Sequence, residues 1–265
     1  MNVNRLQEGL QTRQFGRRIV FMHEASSTND AAKELAILGA AEGTVVVAET
    51  QTVGRGRLAR QWVSSKGGLY FSIVLRPRLN SKEAVKLVFV AGLAVAKVLD
   101  EMYKLSVGTK WPNDVLAHGR KICGILSESQ LSGDSVGFVV VGVGINANIS
   151  VEKDFPEALK RTATSMKGEL GKAVALEELF IGLVEEMEKE YDLFMHDGFS
   201  GILNRWKRYA VFLGGEVEVA CGSERWQGLA LDVDGDGALV LECEDGTTRR
   251  VLVGDVSLRT RSPDP

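Results

Sequence analysis

The chain has 265 residues, of which 45% are hydrophobic and 25% are charged, and its formal charge is -3 at pH 7. This composition fits a globular protein with one large domain and a small one. It excludes a broadly basic nucleic-acid coat, and neither a membrane-spanning run nor a secretion signal is present. Three widely spaced cysteines form no disulfide pattern and favour a reducing, cytoplasmic location.

Runs rich in β-branched and aromatic residues predict strands in the first four fifths of the chain. These are residues 17–22, 44–49, 68–77, 106–111, 120–129 and 135–146. Segments with helical periodicity or N-cap residues at their start predict helices. These are residues 26–38, 81–103, 175–194 and 201–210. Because strands and helices do not alternate strictly, the pattern favours an α+β fold.

The sequence changes character after Leu213, where short strands are separated by the turn clusters CGS, DGDG and EDG. The predicted strands are residues 216–220, 225–233, 238–244 and 248–254. A module of about 50 residues is marginal alone, so we expect it to dock on the larger part. We therefore predict two domains, residues 1–212 and 213–265.

Two segments imitate known ligand motifs. Residues 232–243 (DVDGDGALVLEC) begin like a calcium loop, but position twelve is Cys243 instead of glutamate, so the segment predicts a hairpin turn. Residues 142–147 (GVGINA) follow a strand like a dinucleotide fingerprint, but the next segment is polar and ends in Pro156. Neither segment supports the function that its motif suggests.

A glycine-rich loop, residues 52–64 (TVGRGRLARQWVS), carries three arginines. Arginine binds phosphate or carboxylate through two parallel hydrogen bonds, and glycine lets a backbone close over a ligand. The loop therefore suits a lid over an anionic, water-sensitive group. By itself, it is equally well explained as an ordinary surface loop.

Two further segments combine charged and polar residues at strand ends. Residues 110–116 (KWPNDVL) place Lys110, Asn113 and Asp114 around a proline turn. Residues 120–126 (RKICGIL) begin a strand with Lys121, and Gly124 indicates close approach of a backbone or ligand. Each segment alone is also explained by a turn or a solvated strand end.

Taken in order, STND, GRGRLARQW, KWPND and RKICGIL resemble the biotin–protein ligases, over residues 15 to 262. The resemblance implies a mixed sheet packed with helices, of the class II synthetase-like type, plus a C-terminal SH3-like β-barrel. It also implies a biotin pocket covered by the glycine loop. The matching residues are Ser27, Thr28, Asn29, Gln51, Arg55, Gly56, Arg57 and Lys121. The family often has glycine and a basic residue where this chain has Ala59 and Gln61.

The resemblance further implies ATP and biotin as substrates, with Mg²⁺. The residues expected at the nucleotide are Arg57, Arg60, Trp62, Lys110, Asn113 and Asn146. Lys121, Arg57 and Asp114 are the expected catalytic residues. Asp114 is a candidate for orienting the acceptor amine or for holding Mg²⁺, and the sequence does not choose between these roles. The implied product is biotin joined through biotinyl-5′-AMP to a lysine of a biotin carboxyl carrier domain.

Three other functions remain open at the level of sequence. A lipoate ligase or octanoyl transferase would share the fold, and an interaction protein would use the β module. A biotin-operon repressor would need a DNA-binding domain, and the residues before the first strand, which resemble a linker, are too few for a three-helix reader. No specific DNA binding is therefore expected. Pairing of edge strands into a homodimer is compatible with the sequence, although no sequence feature requires it.

Overall fold

The computed structural model describes residues 1–132 and 135–258. The first sheet has seven strands, β1 (Ile19–Ala25), β2 (Val45–Gln51), β3 (Leu69–Leu75), β4 (Val107–Lys110), β5 (Asp114–Ala117), β6 (Arg120–Ser132) and β7 (Ser135–Ile145). Their order is β1-β2-β3-β7-β6-β5-β4, and only β1 and β2 pair in parallel among the described residues. The six predicted strands are confirmed. β5 was missed because its residues directly follow the Pro-Asn turn.

The helices are α1 (Val3–Gly9), α2 (Thr28–Ile37), α3 (Ser81–Ala84), α4 (Leu87–Glu101), α5 (Val151–Asp154), α6 (Glu157–Lys160), α7 (Met166–Leu170), α8 (Leu176–Asp197) and α9 (Phe199–Lys207). Within the described ranges, no helix is long and apolar enough to cross a membrane. The prediction of one helix over residues 81–103 is wrong, because a turn at Lys86 separates α3 from α4. The buried ammonium of Lys86 lies 2.7 Å from Glu83 Oε1 and over the ring of Phe199.

Both faces of the seven-stranded sheet are covered by helices. Neighbouring residues of a strand point to opposite faces. Val45 and Val47 therefore join a large core with α4 and α8, whereas Val46 packs in a smaller core with Ala32 and Ala36 of α2. Burial on both faces explains why the central strands are continuous apolar runs in the sequence.

The N-terminal residues are part of the large core. Leu6 and Phe15 are buried in it. The carboxylate of Glu188 on α8 accepts hydrogen bonds of 2.7 Å from the backbone N–H groups of Arg13, Gln14 and Phe15. The linker interpretation of this segment is wrong, because apolar anchors and a buried carboxylate hold it against α8.

The second sheet has five antiparallel strands, β8 (Glu216–Cys221), β9 (Glu224–Val233), β10 (Leu239–Cys243), β11 (Thr248–Val251) and β12 (Asp255–Leu258). Its order is β11-β10-β9-β8-β12, which leaves β11 and β12 as edges among the described residues. The predicted hairpin turn is confirmed between β9 and β10, where the Asp234 N–H donates to Ala238 O at 2.9 Å. The turn also contacts the first sheet, since the Trp111 indole N–H donates to Gly237 O at 2.9 Å.

Candidate active site

A cavity of about 490 Å³ opens on the sheet face that carries α2. On this face Val74 of β3 and Val140 of β7 pack against α2. Two residues further along the same face, Ser72 of β3 pairs with Gly142 of β7, so the side chains of these two strands become small or polar. A Cβ atom at Gly142 would collide with the amide oxygen of Asn29. The glycine therefore lets the start of α2 lie directly on the sheet.

The sheet face beneath the cavity forms its floor, and the side chain of Trp62 covers the next row of residues on this floor. Gly124 of β6 and Gly144 of β7 are opposite each other, and a Cβ at either position would lie 2.9 or 2.5 Å from the Trp62 ring. Lys121 Nζ is 5.3 Å from the centroid of the same ring, within the range of a cation–π interaction. The close approach that Gly124 indicated in the sequence is confirmed, and the approaching group is an indole of the chain itself.

One end of the cavity is lined by neutral polar groups. Gln51 Oε1 accepts from the Thr28 N–H at 2.7 Å, and Gln51 Nε2 donates to Ser64 Oγ at 2.8 Å. Ser72 Oγ, fully buried, lies 2.8 Å from Thr28 Oγ1 and 2.7 Å from Asn29 Oδ1. Because an amide oxygen only accepts, the Ser72 hydroxyl donates to Asn29, and the Thr28 hydroxyl lies within hydrogen-bond distance of both Ser72 Oγ and Gln51 Oε1. These groups offer donors and acceptors without net charge.

The glycine loop bends sharply above this floor. Leu58 and Ala59 have φ values of 53° and 57°, in the left-handed region that disfavours residues with a Cβ atom. A glycine at the position of Ala59, which the resemblance leads us to expect, would adopt this conformation without strain. The departure noted in the sequence therefore falls at a conformationally demanding position of the loop.

The three loop arginines point to carboxylates. Arg57 Nη1 lies 3.0 Å from Gly254 O, 3.2 Å from Asn113 Oδ1 and 3.3 Å from Asp255 Oδ1. Arg60 Nη2 is 2.7 Å from the other oxygen of Asp255. Burial lowers the pKa of Arg57, although the charges of Asp255 and Asp114 act against this shift. The loop is thus connected to the start of β12.

The first arginine of the loop turns the other way. Arg55 Nη2 is 2.8 Å from Asp30 Oδ1 on α2 and 2.6 Å from Glu128 Oε2 on β6. The loop is therefore held on one side by the first sheet and on the other by the second. Neither Asp30 nor Glu128 was a candidate in the sequence.

Asp114 binds the two lysines that the sequence singled out. Its Oδ1 lies 2.6 Å from Lys121 Nζ, and its Oδ2 lies 3.4 Å from Lys110 Nζ. Residues 1–132 and 135–258 contain no group of three or more His, Cys, Asp or Glu side chains able to hold a metal ion. Mg²⁺ is usually held by one or two carboxylates together with ligand phosphates, so an ion here would be shared between a carboxylate such as Asp114 and the phosphates of a bound ligand.

Asn146 lies at the far end of the β7 floor, four residues after Gly142. Its Nδ2 donates to Thr164 O at 2.9 Å, whereas its buried Oδ1 has no partner among the described residues. Apolar side chains line the cavity here, namely Leu116, Phe155, Leu159 and Ala163. An unpaired buried acceptor beside apolar walls suits a flat ligand that carries an N–H donor.

The fourteen residues that the sequence singled out all line this one cavity. They are Ser27, Thr28, Asn29, Gln51, Arg55, Gly56, Arg57, Arg60, Trp62, Lys110, Asn113, Asp114, Lys121 and Asn146. The sequence missed Ser72, Gly142, Gly144 and Asp255. For Ser72, Gly142 and Gly144 the signal was the appearance of small or polar residues within apolar strands, which marks a surface where something packs on the sheet. Asp255 had no such signal.

Comparisons with known proteins agree with this arrangement. Residues 22–146 match the Biotin/lipoate A/B protein ligase family, and residues 212–259 match the Biotin protein ligase C terminal domain. The bifunctional ligase/repressor BirA of Bacillus subtilis is 36% identical over 251 residues, which cover 94% of this chain and 77% of BirA. The biotin–[acetyl-CoA-carboxylase] ligase of Paracoccus denitrificans is 36% identical over 219 residues, covering 81% and 90%. The structure of an Aquifex aeolicus biotin protein ligase in complex with biotin and ATP has a TM-score of 0.76 and 32% identity, covering 92% and 99%.

Proposed function

Since the chain belongs to the biotin protein ligase family, we propose that it activates biotin with ATP and transfers it to a lysine of a biotin carrier domain. The relatives named biotin–[acetyl-CoA-carboxylase] ligase support a carboxyl carrier domain as the acceptor. The solved relative with biotin and ATP supports the two small substrates. The C-terminal β domain, residues 213–265, would contribute Asp255 to the edge of the site.

The observation that carries this proposal is the change in polarity of the cavity lining along β7 and the residue that follows it. Gly142 lies beneath the neutral polar end, Gly144 beneath Trp62 and Lys121, and Asn146 beside the apolar end. Alternate residues of a strand are about 6–7 Å apart on one face, so the floor spans about 13 Å. Such a floor suits an extended ligand with a polar ring, a central anion and a second ring.

The polar end suits the ureido ring of biotin, which has two N–H donors and a carbonyl acceptor. Ser27, Thr28 and Gln51 line this end with hydroxyl and amide groups. A charged partner would cost more to desolvate than these neutral groups. We propose that this polarity favours biotin over the apolar acyl chains of lipoate and octanoate.

Activation joins two anions, so the site must neutralise their charge. The biotin carboxylate attacks the α-phosphorus of ATP, a phosphorus–oxygen bond to pyrophosphate breaks, and biotinyl-5′-AMP forms. We propose that Lys121 and Arg57 stabilise the charge that develops on the phosphoryl oxygens. Lys110 and Arg60 would contact the remaining phosphates. Mg²⁺ would enter bound to the phosphates of ATP.

The adenine ring would occupy the apolar end. The unpaired Oδ1 of Asn146 can accept a hydrogen bond from the exocyclic amine of adenine. Guanine has a carbonyl oxygen at the corresponding position and would leave this buried acceptor unpaired, which is costly. We propose that Asn146 favours ATP over GTP in this way.

Transfer needs no nucleophile from the protein. The acceptor lysine amine attacks the acyl carbon, the bond to AMP breaks, and an amide forms. Cys123, the nearest thiol to Lys121 along β6, is fully buried, and burial raises the pKa of its thiol, so it is not available as a thiolate. We propose that Asp114, which lies between two lysines, orients the incoming amine.

The proposal is tested by incubating the protein with ATP, labelled biotin and a biotin carrier domain. We expect ATP-dependent labelling of the carrier, with AMP and pyrophosphate released in equal amounts. Lipoate and octanoate, with their own carrier domain, serve as comparison substrates. Transfer of lipoate or octanoate without transfer of biotin would overturn the assignment.

A further inference from the structure

The two N–H donors of the Asn29 amide, at the polar end of the cavity, are both used by the protein. Its Nδ2 donates to Glu128 Oε2 at 2.8 Å and to Leu126 O at 3.2 Å. Its Oδ1 accepts from Ser72. Both N–H donors are thus used, so Asn29 has no hydrogen-bond donor left for a ligand. A ligand at this end can still shift Asn29 through its neighbour Thr28.

One oxygen atom connects this amide to the arginine loop. Glu128 Oε2 accepts from Asn29 Nδ2 and is also 2.6 Å from Arg55 Nη2. Glu128 itself is absent from the cavity lining, so it acts through these two residues. The charge-assisted bond from the Arg55 guanidinium and the bond from the buried Asn29 amide both depend on the position of Glu128 Oε2. Moving either partner must therefore change the bond of the other.

We infer that Glu128 is a positioning residue that couples occupancy of the polar pocket to closure of the arginine loop. The inference rests on the proposed function, because it takes biotin as the occupant. A ligand that holds Thr28 and Asn29 in place fixes Glu128, which in turn holds Arg55 and the loop. Such coupling is reciprocal, so a closed loop also strengthens ligand binding.

The chain offers matched controls for both halves of this connection. Asp30 Oδ1 is 2.8 Å from the same Arg55 nitrogen. Asp30 follows Asn29 in α2 but takes no part in the hydrogen bonds of the Asn29 amide. Ser72 bonds the Asn29 amide oxygen, whereas the described contacts of Arg55 are to Asp30 and Glu128. Asp30→Asn therefore removes a direct contact of the loop, and Ser72→Ala removes a direct contact of the pocket. Glu128→Gln weakens direct bonds to both Arg55 and Asn29 through one atom.

Trypsin reports loop opening directly, because it cleaves after Arg55, Arg57 and Arg60. The rate of cleavage at these three residues is measured with and without saturating biotin. The rate without biotin divided by the rate with biotin gives the coupling. We expect a ratio of about tenfold in the unmodified protein and less than about twofold in Glu128→Gln. Asp30→Asn should raise both rates and keep the ratio, and Ser72→Ala should weaken biotin binding and keep the ratio at saturation.

Calorimetric titration of biotin, with the melting temperature of each variant, separates the outcomes. No binding of biotin to the unmodified protein would defeat the proposed function. Binding with an unchanged ratio in Glu128→Gln, or an equal loss of the ratio in Asp30→Asn, would defeat the coupling role alone. A loss confined to Glu128→Gln at an unchanged melting temperature supports it.

Discussion

Arg57 and Asp255 are 198 positions apart in the chain, yet Arg57 Nη1 lies 3.3 Å from Asp255 Oδ1. The same nitrogen is 3.0 Å from Gly254 O. This contact joins the arginine loop of the first sheet to the start of β12 in the second. The small β domain therefore contributes directly to the rim of the cavity.

Removing the carboxylate of Asp255 is expected to loosen the loop. Asp255→Ala leaves the guanidinium groups of Arg57 and Arg60 without this partner, so amide hydrogen exchange over residues 53–61 should accelerate by about two- to fivefold. The matched control is Asp245→Ala, an exposed carboxylate in the β10–β11 turn that bonds only locally to Thr247. Equal exchange in the two variants would contradict the anchoring role.

Lys121 is expected to matter for chemistry more than for folding. Lys121→Ala should reduce biotin-dependent exchange of pyrophosphate into ATP by about 100-fold or more, because a charge aimed at the phosphoryl group is lost. The melting temperature should stay within about 3 °C. Lys160→Ala, which removes a partly exposed ammonium that is paired with Glu157 and does not line the cavity, provides the control. If activity and melting temperature fall in parallel, Lys121 has a structural role instead.

The glycine floor can be tested by adding one methyl group. In Gly144→Ala the new Cβ would lie 2.5 Å from Trp62 Nε1, so the indole must move. We expect a loss of about 1–3 kcal/mol in the free energy of unfolding, measured in urea, and an altered tryptophan emission spectrum. Gly201→Ala, where no atom lies within 4 Å, should be neutral or slightly stabilising within its helix. Superimposable spectra for Gly144→Ala and the unmodified protein would contradict the packing described for Trp62.

Glu169 is expected to make stability depend on pH. Partial burial alone would raise the pKa of Glu169, but hydrogen bonds from Thr164 and His118 and the charge of Arg120 together lower it below the ordinary 4.5. A lowered folded pKa stabilises the protein above the unfolded value, and this stabilisation is lost as the pH falls through the folded value.

Glu169→Gln should therefore lower the urea midpoint at pH 7, and the deficit should shrink as the pH falls below 4.5. The comparison variant is Glu157→Gln, whose side chain is 88% exposed. If the loss of stability in Glu169→Gln instead grew as the pH falls, the pKa of Glu169 would not be lowered by folding and the prediction would be wrong.

Much of the fold was predictable because local patterns agree with the final structure. Continuous β-branched runs predicted strands that are buried on both faces, and a change of texture after Leu213 predicted the β domain. The errors arise where distant contacts override local preference. The turn at Lys86 is stabilised by a contact with Phe199, and the N-terminal segment is held by Glu188. Neither partner can be identified from the neighbouring residues.

The candidate site was predictable to a similar extent. Arg57, Lys121 and their neighbours stand in short segments whose composition already indicates anion binding, so the sequence by itself determined which chemistry is available. Only the tertiary structure decided that Gly124 and Gly144 form one floor beneath Trp62, and that Glu128 and Asp255 hold the arginine loop from opposite sides. The physical reason is that charge and glycine content are properties of a single segment. An ion pair or a close approach needs two segments, and strand pairing across the whole sheet sets the distance between them.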